Sequence, residues 1–250
     1  MTGRTTTPPW IAMYHSVDED RDDPYQVTVT PARLDAQLRW MRARGLRGVT
    51  VRELLAATAR HAARGLVGLT FDDGYADFLH QAVPLLHRHG CTATVFALPG
   101  RLGGDNAWDD LGPRKPLLTA PELRRCVDAG MEVASHGARH IDLTHADDAT
   151  LREEVHDSRE HLRALTGEAP DGFCYPYGTL DARVVAAVRA AGYTYGCAID
   201  PGADLAGVLA LPRVHIGQRD TAWRLTAKRR LHRLRRRAPA GLAHPAAAVS

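Results

Sequence analysis

The segment Leu69-Thr70-Phe71-Asp72-Asp73-Gly74 ends a short apolar run with two adjacent carboxylates and a glycine. A second segment, Ser135-His136-Gly137-Ala138-Arg139-His140, follows another apolar run and carries two histidines four residues apart. That spacing allows both imidazoles to face one point. Two neutral histidines and one carboxylate form a facial ligand set for a divalent metal and leave coordination positions open. The remaining aspartate is then available as a base, which metal-assisted hydrolysis requires.

Short apolar runs alternate with helix signals along the chain, and this order predicts an α/β fold with a parallel sheet. The runs are Trp10–Tyr14, Leu66–Phe71, Thr92–Leu98, Met131–Ala134, Gly172–Tyr175, Thr194–Ile199 and Leu209–Ile216. Helices are predicted after the capping residues Thr30 and Thr50, and over 75–89 (kinked at Pro84), 120–129, 147–166 and 181–191. Periodicity alone leaves a closed barrel and an open doubly wound sheet as alternatives.

The two charged segments together resemble the polysaccharide deacetylase family of carbohydrate esterases. Its Thr-Phe-Asp-Asp-Gly and His-Ser/Thr-x-x-His patterns correspond to Thr70–Gly74 and His136–His140, and Phe173–Gly178 is similar to its third motif. The resemblance extends over about residues 10–216 and implies a distorted (β/α)7 barrel. We therefore expect a catalytic barrel over residues 1–220 and a basic helix and tail over residues 221–250.

The resemblance also implies roles for individual residues. Asp72 would be the base, and Asp73, His136 and His140 would hold one metal ion, zinc by default, with cobalt, nickel or manganese suited to the same ligands. The backbone N–H of Tyr177 would stabilise the oxyanion. The remaining candidates are the general acid His215, on the last strand, and three residues expected near the oxyanion or the substrate: His15, Tyr175 and Pro176.

One position departs from the family pattern. Many relatives have an arginine two residues before the proline of the third motif, where it pairs with the catalytic aspartate, and this chain has Cys174 there. A neutral thiol cannot lower the pKa of the base as a cation does. Arg213, two residues before His215 and so on the same face of the last strand, is the candidate replacement.

The ligand pattern predicts metal-assisted hydrolysis, and the resemblance implies that this hydrolase removes the acetyl group from an N-acetylated sugar. The sugar is left open as a polysaccharide, an oligosaccharide, a glycolipid or an amino-sugar intermediate. The alternative is a non-catalytic carbohydrate-binding or scaffold protein that retains the fold and docks through its basic tail.

Charge is distributed unevenly along the 250 residues. None of the 29 acidic residues follows Asp220, whereas eight of the 32 Lys and Arg do, so residues 1–220 carry 24 cations against 29 acids, a net charge of −5. The body is therefore not expected to bind nucleic acid. Residues 221–237 predict an amphipathic helix with an apolar stripe of Trp223, Ala227, Leu231 and Leu234, suited to an anionic membrane surface. A helix packed on the barrel and a disordered tail are the alternatives.

The compartment is predicted from what the sequence lacks. The first ten residues show no apolar signal-peptide core, and the four cysteines (Cys91, Cys126, Cys174 and Cys197) have no Cys-x-x-Cys spacing. Reduced, mostly buried thiols in a cytoplasmic protein, peripheral to the membrane if the basic helix binds lipid, are expected.

Overall fold

The computed structural model describes residues 9–19, 22–205 and 207–235. The strands are Ile11–Tyr14 (β1), Ser16–Val17 (β2), Thr28–Val29 (β3), Arg47–Val49 (β4), Leu66–Phe71 (β5), Thr94–Ala97 (β6), Glu132–Ser135 (β7), Gly172–Cys174 (β8), Tyr195–Ala198 (β9), Leu211–Pro212 (β10) and Val214–His215 (β11). The α-helices are Pro31–Arg42 (α1), Val51–Ala59 (α2), Val83–Arg88 (α3), Ala120–Asp128 (α4), Asp148–Arg152 (α5), Ser158–Thr166 (α6), Ala182–Ala190 (α7), Gly202–Leu205 (α8) and Ala222–Arg235 (α9).

The main sheet is parallel and runs in the order β10-β9-β8-β7-β6-β5-β1-β11, with β4 beside the first half of β5. Only Arg213 separates β10 from β11. The segment Leu211–His215 therefore pairs first with β9 and then with β1, and so brings the two ends of the sheet together. Strands β1, β5, β6, β7, β8 and β9 together with this closing segment form the seven strand positions of the barrel, and helices connect them. The predicted distorted (β/α)7 barrel is confirmed.

Local sequence accounts for where several helices begin. The Thr30 hydroxyl accepts a hydrogen bond from the backbone N–H of Arg33, and Pro31 occupies the first turn of α1. Thr50 caps α2 in the same way, through the N–H of Glu53. Each hydroxyl satisfies a donor that the first helical turn would otherwise leave unpaired.

Some elements differ from the sequence prediction. The helix predicted over 75–89 begins with a π turn, Phe78–Ala82, and Pro84 stands in the first turn of α3, directly after that π turn. The helix predicted over 147–166 contains a second π turn, Glu153–Asp157, between α5 and α6. Strand β4 was not predicted, because three residues with an arginine and a glycine show no apolar run.

Helix α9 packs on the barrel through a face other than the predicted apolar stripe. Leu225 and His232 are buried, and Leu225 belongs to the same hydrophobic cluster as the barrel strands. Trp223 is 70% exposed and Leu231 46% exposed. The side chain of Leu234 and residues 236–250 lie outside the described part, so the predicted stripe is observed only as far as Leu231. The division into a 1–220 domain and a tail stays a prediction.

Two further expectations concern compartment. The four cysteines are buried free thiols, as predicted. Among the described residues, no helix has the length and apolarity needed to cross a membrane. The cytoplasmic location stays a prediction.

Candidate active site

Asp72 and Asp73 leave the carboxyl end of β5 in a tight turn. The N–H of Asp72 still donates to the Tyr14 carbonyl of β1, but Asp73 and Gly74 both have left-handed backbones, with φ of 70° and 68°. A Cβ at position 74 would lie 3.2 Å from the Cα of Ala97, so glycine also fits the space. The turn buries both carboxylates, which are only 3% and 5% exposed.

Asp73, His136 and His140 come together as one cluster. Oδ1 of Asp73 lies 3.2 Å from Nε2 of His136 and 3.4 Å from Nε2 of His140. Nδ1 of His136 is 2.8 Å from the Cys174 carbonyl, which can only accept a hydrogen bond. Nδ1 of a neutral His136 therefore carries the proton and Nε2 presents its lone pair towards Asp73, the arrangement typical of metal-ligating histidines.

His140 is held between two aromatic side chains. Its ring stacks on Trp108 with centroids 4.6 Å apart, and the Tyr177 ring meets it edge-on at 4.4 Å. Burial lowers the pKa of His140 to about 4, so the imidazole is neutral near pH 7. Burial opposes ionisation of Asp73, but the two imidazoles beside the carboxylate outweigh burial and leave the pKa of Asp73 lowered.

These donors fit a divalent metal. One carboxylate oxygen and two imidazole nitrogens lie within 4.8 Å of one another, and all three side chains are buried. Two histidines with one carboxylate match the ligand preferences of zinc and of cobalt, nickel and manganese.

Asp72 forms a two-pronged ion pair with Arg213. Nη1 of the guanidinium donates to Oδ1 at 2.6 Å and Nη2 to Oδ2 at 2.7 Å, and both side chains are buried. Burial raises the pKa of Asp72, but the charge and hydrogen bonds of Arg213 outweigh this, so the pKa is lowered. Arg213 thus pairs with Asp72, as expected for a cation that replaces the family arginine absent at Cys174.

The thiol of Cys174 contacts both members of this ion pair. Its Sγ is 3.0 Å from Nη2 of Arg213 and 3.7 Å from Oδ2 of Asp72. Nη1 of Arg213 also donates to the Thr70 hydroxyl at 3.1 Å. The guanidinium therefore reaches Asp72 from the closing segment, and the small thiol on β8 leaves room for it.

The residues of the third motif, Phe173–Gly178, differ in how far they are exposed. Tyr177 is 52% exposed and adopts a left-handed backbone, with φ of 57°. Tyr175 is buried, and its hydroxyl donates to the Leu209 carbonyl at 2.7 Å. Pro176 is buried at the start of a short 3-10 turn. Both tyrosines line the cleft above Asp73, whereas the Tyr175 hydroxyl is occupied by the backbone.

His215, the predicted general acid, and His15 lie side by side, with ring centroids 6.2 Å apart. His15 lines the cleft, and its Nε2 is 3.8 Å from Oδ2 of Asp72. His215 is not among the cleft-lining residues. Burial, then the nearby charges of His15 and Lys228, lower the pKa of His215. Its backbone carbonyl accepts a hydrogen bond from Lys228 of α9.

The cleft has a volume of about 270 Å³ and includes residues that the sequence analysis did not select. They are Tyr25, Val27, Asp109 and Ile199. The Tyr25 hydroxyl accepts from the N–H of Leu111, joining the β2–β3 connection to the long loop after β6. The length of that loop was the available signal, but no motif singles out its individual residues.

Comparison with known families places this site in context. The family model described as "Polysaccharide deacetylase" matches residues 59–196, more than half of the chain. The chain belongs to the polysaccharide deacetylase family. This span contains Asp72, Asp73, both cluster histidines and Cys174, but neither His15 nor Arg213.

Among curated proteins, the chain is 26% identical over 210 residues to "Putative polysaccharide deacetylase YxkH" of Bacillus subtilis (strain 168), covering 82% of this chain and 70% of that protein. It is 21% identical over 183 residues to the poly-beta-1,6-N-acetyl-D-glucosamine N-deacetylase of Staphylococcus aureus (strain MSSA476), covering 69% of this chain. The match spans 61% of the length of the staphylococcal enzyme.

Solved structures share the fold. The deacetylase PplD of Streptococcus pyogenes, in complex with acetate, superposes with a TM-score of 0.75 at 24% identity, covering 90% of this chain and 98% of that one. IcaB from Ammonifex degensii gives a TM-score of 0.71 at 21% identity, covering 90% and 97%.

Proposed function

We propose that this protein is a metal-dependent N-deacetylase that hydrolyses the acetamide of an N-acetylated sugar. One observation carries the proposal: a buried carboxylate held by an arginine lies directly beside a carboxylate and two histidines at the same cleft. A non-catalytic relative would not need an ionised Asp72 next to a ligand set. Family membership supports the same chemistry.

Asp72 is the proposed base. The Arg213 pair keeps the carboxylate ionised and oriented, so that it can accept a proton from the attacking water. The adjacent cation also sets the working pH, because a carboxylate beside a cation stays ionised to lower pH than a buried carboxylate without one.

Asp73, His136 and His140 would hold the metal. When bound there, such an ion polarises the acyl oxygen and increases the acidity of water. The backbone N–H of Tyr177 is the proposed second donor to the oxyanion, a contact whose loss costs ~10²–10³ in rate.

His15 is the preferred proton donor to the leaving amine, in place of His215. A general acid must reach the reacting atoms. His15 lines the cleft, whereas His215 is not among its lining residues. Ring separation alone does not distinguish the two histidines; access to the cleft does.

The names of the relatives indicate which N-acetylated sugars to test as substrates. The staphylococcal relative is named for poly-β-1,6-N-acetyl-D-glucosamine, so β-1,6-linked N-acetylglucosamine oligomers belong in a panel with free and lipid-linked N-acetylhexosamines. Acetate release from one class by the zinc- or cobalt-loaded protein is expected. A metal-loaded protein inert on the whole panel would favour the scaffold alternative.

The roles of the two aspartates are separable. Asp73→Ala, His136→Ala and His140→Ala should each lose bound metal and acetate release, because each removes a ligand. Asp72→Asn should keep the metal and lose ~10²–10⁴ in kcat, because it removes a proton acceptor and no ligand. Metal content by mass spectrometry and acetate release provide the measurements.

Asp109→Asn is the matched control for these variants, since Asp109 lines the same cleft and is not a proposed ligand. It should retain metal. An Asp72→Asn protein that was metal-free, or that turned over normally, would contradict the division of roles.

The Arg213 pair predicts a pH effect. Activity requires ionised Asp72, so it is lost as pH falls through the pKa of that carboxyl. Arg213→Met removes the cation that lowers this pKa and should move the acid limb of the kcat/KM profile to higher pH. Arg213→Lys, which keeps the charge, should move it less. Superimposable acid limbs for Arg213→Met and the unaltered protein would contradict the role.

Leaving-group chemistry distinguishes the histidines. His15→Gln should lose ~10²–10⁴ in kcat on an N-acetyl sugar but hydrolyse an aryl acetate nearly normally, because a phenolate leaves without protonation. His215→Gln is the control and should retain most activity on both substrates. The opposite pattern would return the general acid to His215.

We also propose that α9 contacts an anionic lipid surface. The helix is anchored by Leu225 and His232 and turns Trp223 and Leu231 outwards, with Arg230 also exposed between them. Exposed indole and leucine side chains beside cations suit anionic headgroups, where each cation contributes ~1 kcal/mol near the surface.

Vesicle sedimentation tests the lipid contact. The double variant Trp223→Ser/Leu231→Ser should reduce recovery on phosphatidylglycerol vesicles without unfolding, since both side chains are exposed. Truncation at residue 221 is a poorer test because it would uncover the surface that Leu225 covers. Equal sedimentation of the full chain with neutral and anionic vesicles would contradict the proposal.

A further inference from the structure

A fully buried carboxylate outside the ligand cluster contacts the loop that carries both histidines. Glu154 lies in the π turn between α5 and α6 and has no exposed surface. Burying a carboxylate is costly unless charge-assisted hydrogen bonds compensate it. The hydrogen-bond donors to this carboxylate therefore show what its burial achieves.

All of these partners belong to the histidine loop. Oε2 of Glu154 accepts from the backbone N–H of Ala138 at 2.7 Å and of Arg139 at 3.0 Å. Oε1 accepts from Nε of Arg139 at 2.7 Å. The N–H of Gly137 donates to the Ser135 hydroxyl at 3.2 Å. Side-chain oxygens thus accept from each of the three successive N–H groups between His136 and His140.

The π turn is supported by its own contacts. The Ser158 hydroxyl lies 2.7 Å from the carbonyl oxygen of Glu154, to which it can donate, and the Tyr193 hydroxyl donates to the carbonyl of Val155 at 3.0 Å. These hydroxyls satisfy carbonyls in a turn where the usual helical pattern is interrupted. Single π turns within α-helices are frequently found at functional sites.

The carboxylate of Glu154 occupies the space that a side chain at position 137 would need. Gly137 has φ of 80°, and a Cβ there would lie 2.9 Å from Oε2 of Glu154. The family pattern has serine or threonine at this position, so this chain combines a glycine with a carboxylate that fills the space beside it.

We propose that Glu154 is a positioning residue for the metal-ligand loop. Its carboxylate holds the Ala138 and Arg139 amides so that both imidazoles converge on Asp73. The inference rests on the proposed function in that it takes His136 and His140 as ligands. It adds a residue that touches neither metal nor substrate.

Cobalt binding to the full chain tests this role. Glu154→Met removes every acceptor at similar length and should weaken Co²⁺ affinity ~10–100-fold in chelator competition, the usual cost of losing a group that orients a ligand. The visible absorption of bound Co²⁺ should also change. Glu154→Gln can still turn its amide oxygen towards the two backbone donors and should therefore recover part of the affinity.

Glu153→Gln is the matched control. Glu153 is the exposed neighbour that pairs only with Nη2 of Arg139, at 3.0 Å, among its described contacts. Its loss should leave affinity and spectrum unchanged. Native-like Co²⁺ binding by a folded Glu154→Met protein would overturn the proposal. If that variant does not fold, equal affinities of Glu154→Gln and Glu153→Gln would overturn it.

The readout separates this inference from the proposed function. Native protein that binds Co²⁺ but releases no acetate would contradict the function, and the variant series would still decide the role of Glu154. Native protein that binds no Co²⁺ would overturn both.

Discussion

The ion pair between Asp72 and Arg213 links the closure of the barrel to the chemistry of the cleft. Arg213 is the residue at which the final segment changes partner from β9 to β1, and its guanidinium crosses to the end of β5. Two buried charges are costly to desolvate, and two short hydrogen bonds and a thiol contact offset part of that cost. Removing one member of such a pair costs about 3–5 kcal/mol, because the other charge is left uncompensated. The same contact therefore stabilises the barrel seam and keeps the carboxylate ionised.

Backbone strain is concentrated around the same cleft. Asp73, His140 and Tyr177 all adopt left-handed conformations, which cost energy for residues other than glycine. The surrounding contacts maintain them: Asp73 faces two imidazoles, and His140 packs between Trp108 and Tyr177. The carboxylate of Glu154 accepts hydrogen bonds from the backbone amides of Ala138 and Arg139, between the two histidines. These contacts hold Asp73, His136 and His140 close together within the cleft.

Short local sequence patterns predict many of the strands and helix starts of this fold. Apolar runs predicted β1, β5, β6, β7, β8, β9 and the closing segment, and the hydroxyls of Thr30 and Thr50 predicted where α1 and α2 begin. Strand β4 and the two π turns were not predicted. Strand β4 is defined by its pairing with β5, and a carbonyl of the second π turn accepts a hydrogen bond from the hydroxyl of Tyr193, 38 positions away.

The sequence by itself selected the candidate ligands and the candidate base, because Asp72, Asp73, His136 and His140 stand in short patterns at strand ends. It also directed attention to Arg213, since two residues of strand spacing place that side chain on the face of His215. Only the tertiary structure decided that the arginine reaches Asp72, that His15 rather than His215 lines the cleft, and that Glu154 supports the histidine loop. These relations join residues up to 141 positions apart. No local pattern records them, because barrel closure and side-chain packing bring such residues together only when the whole chain has folded.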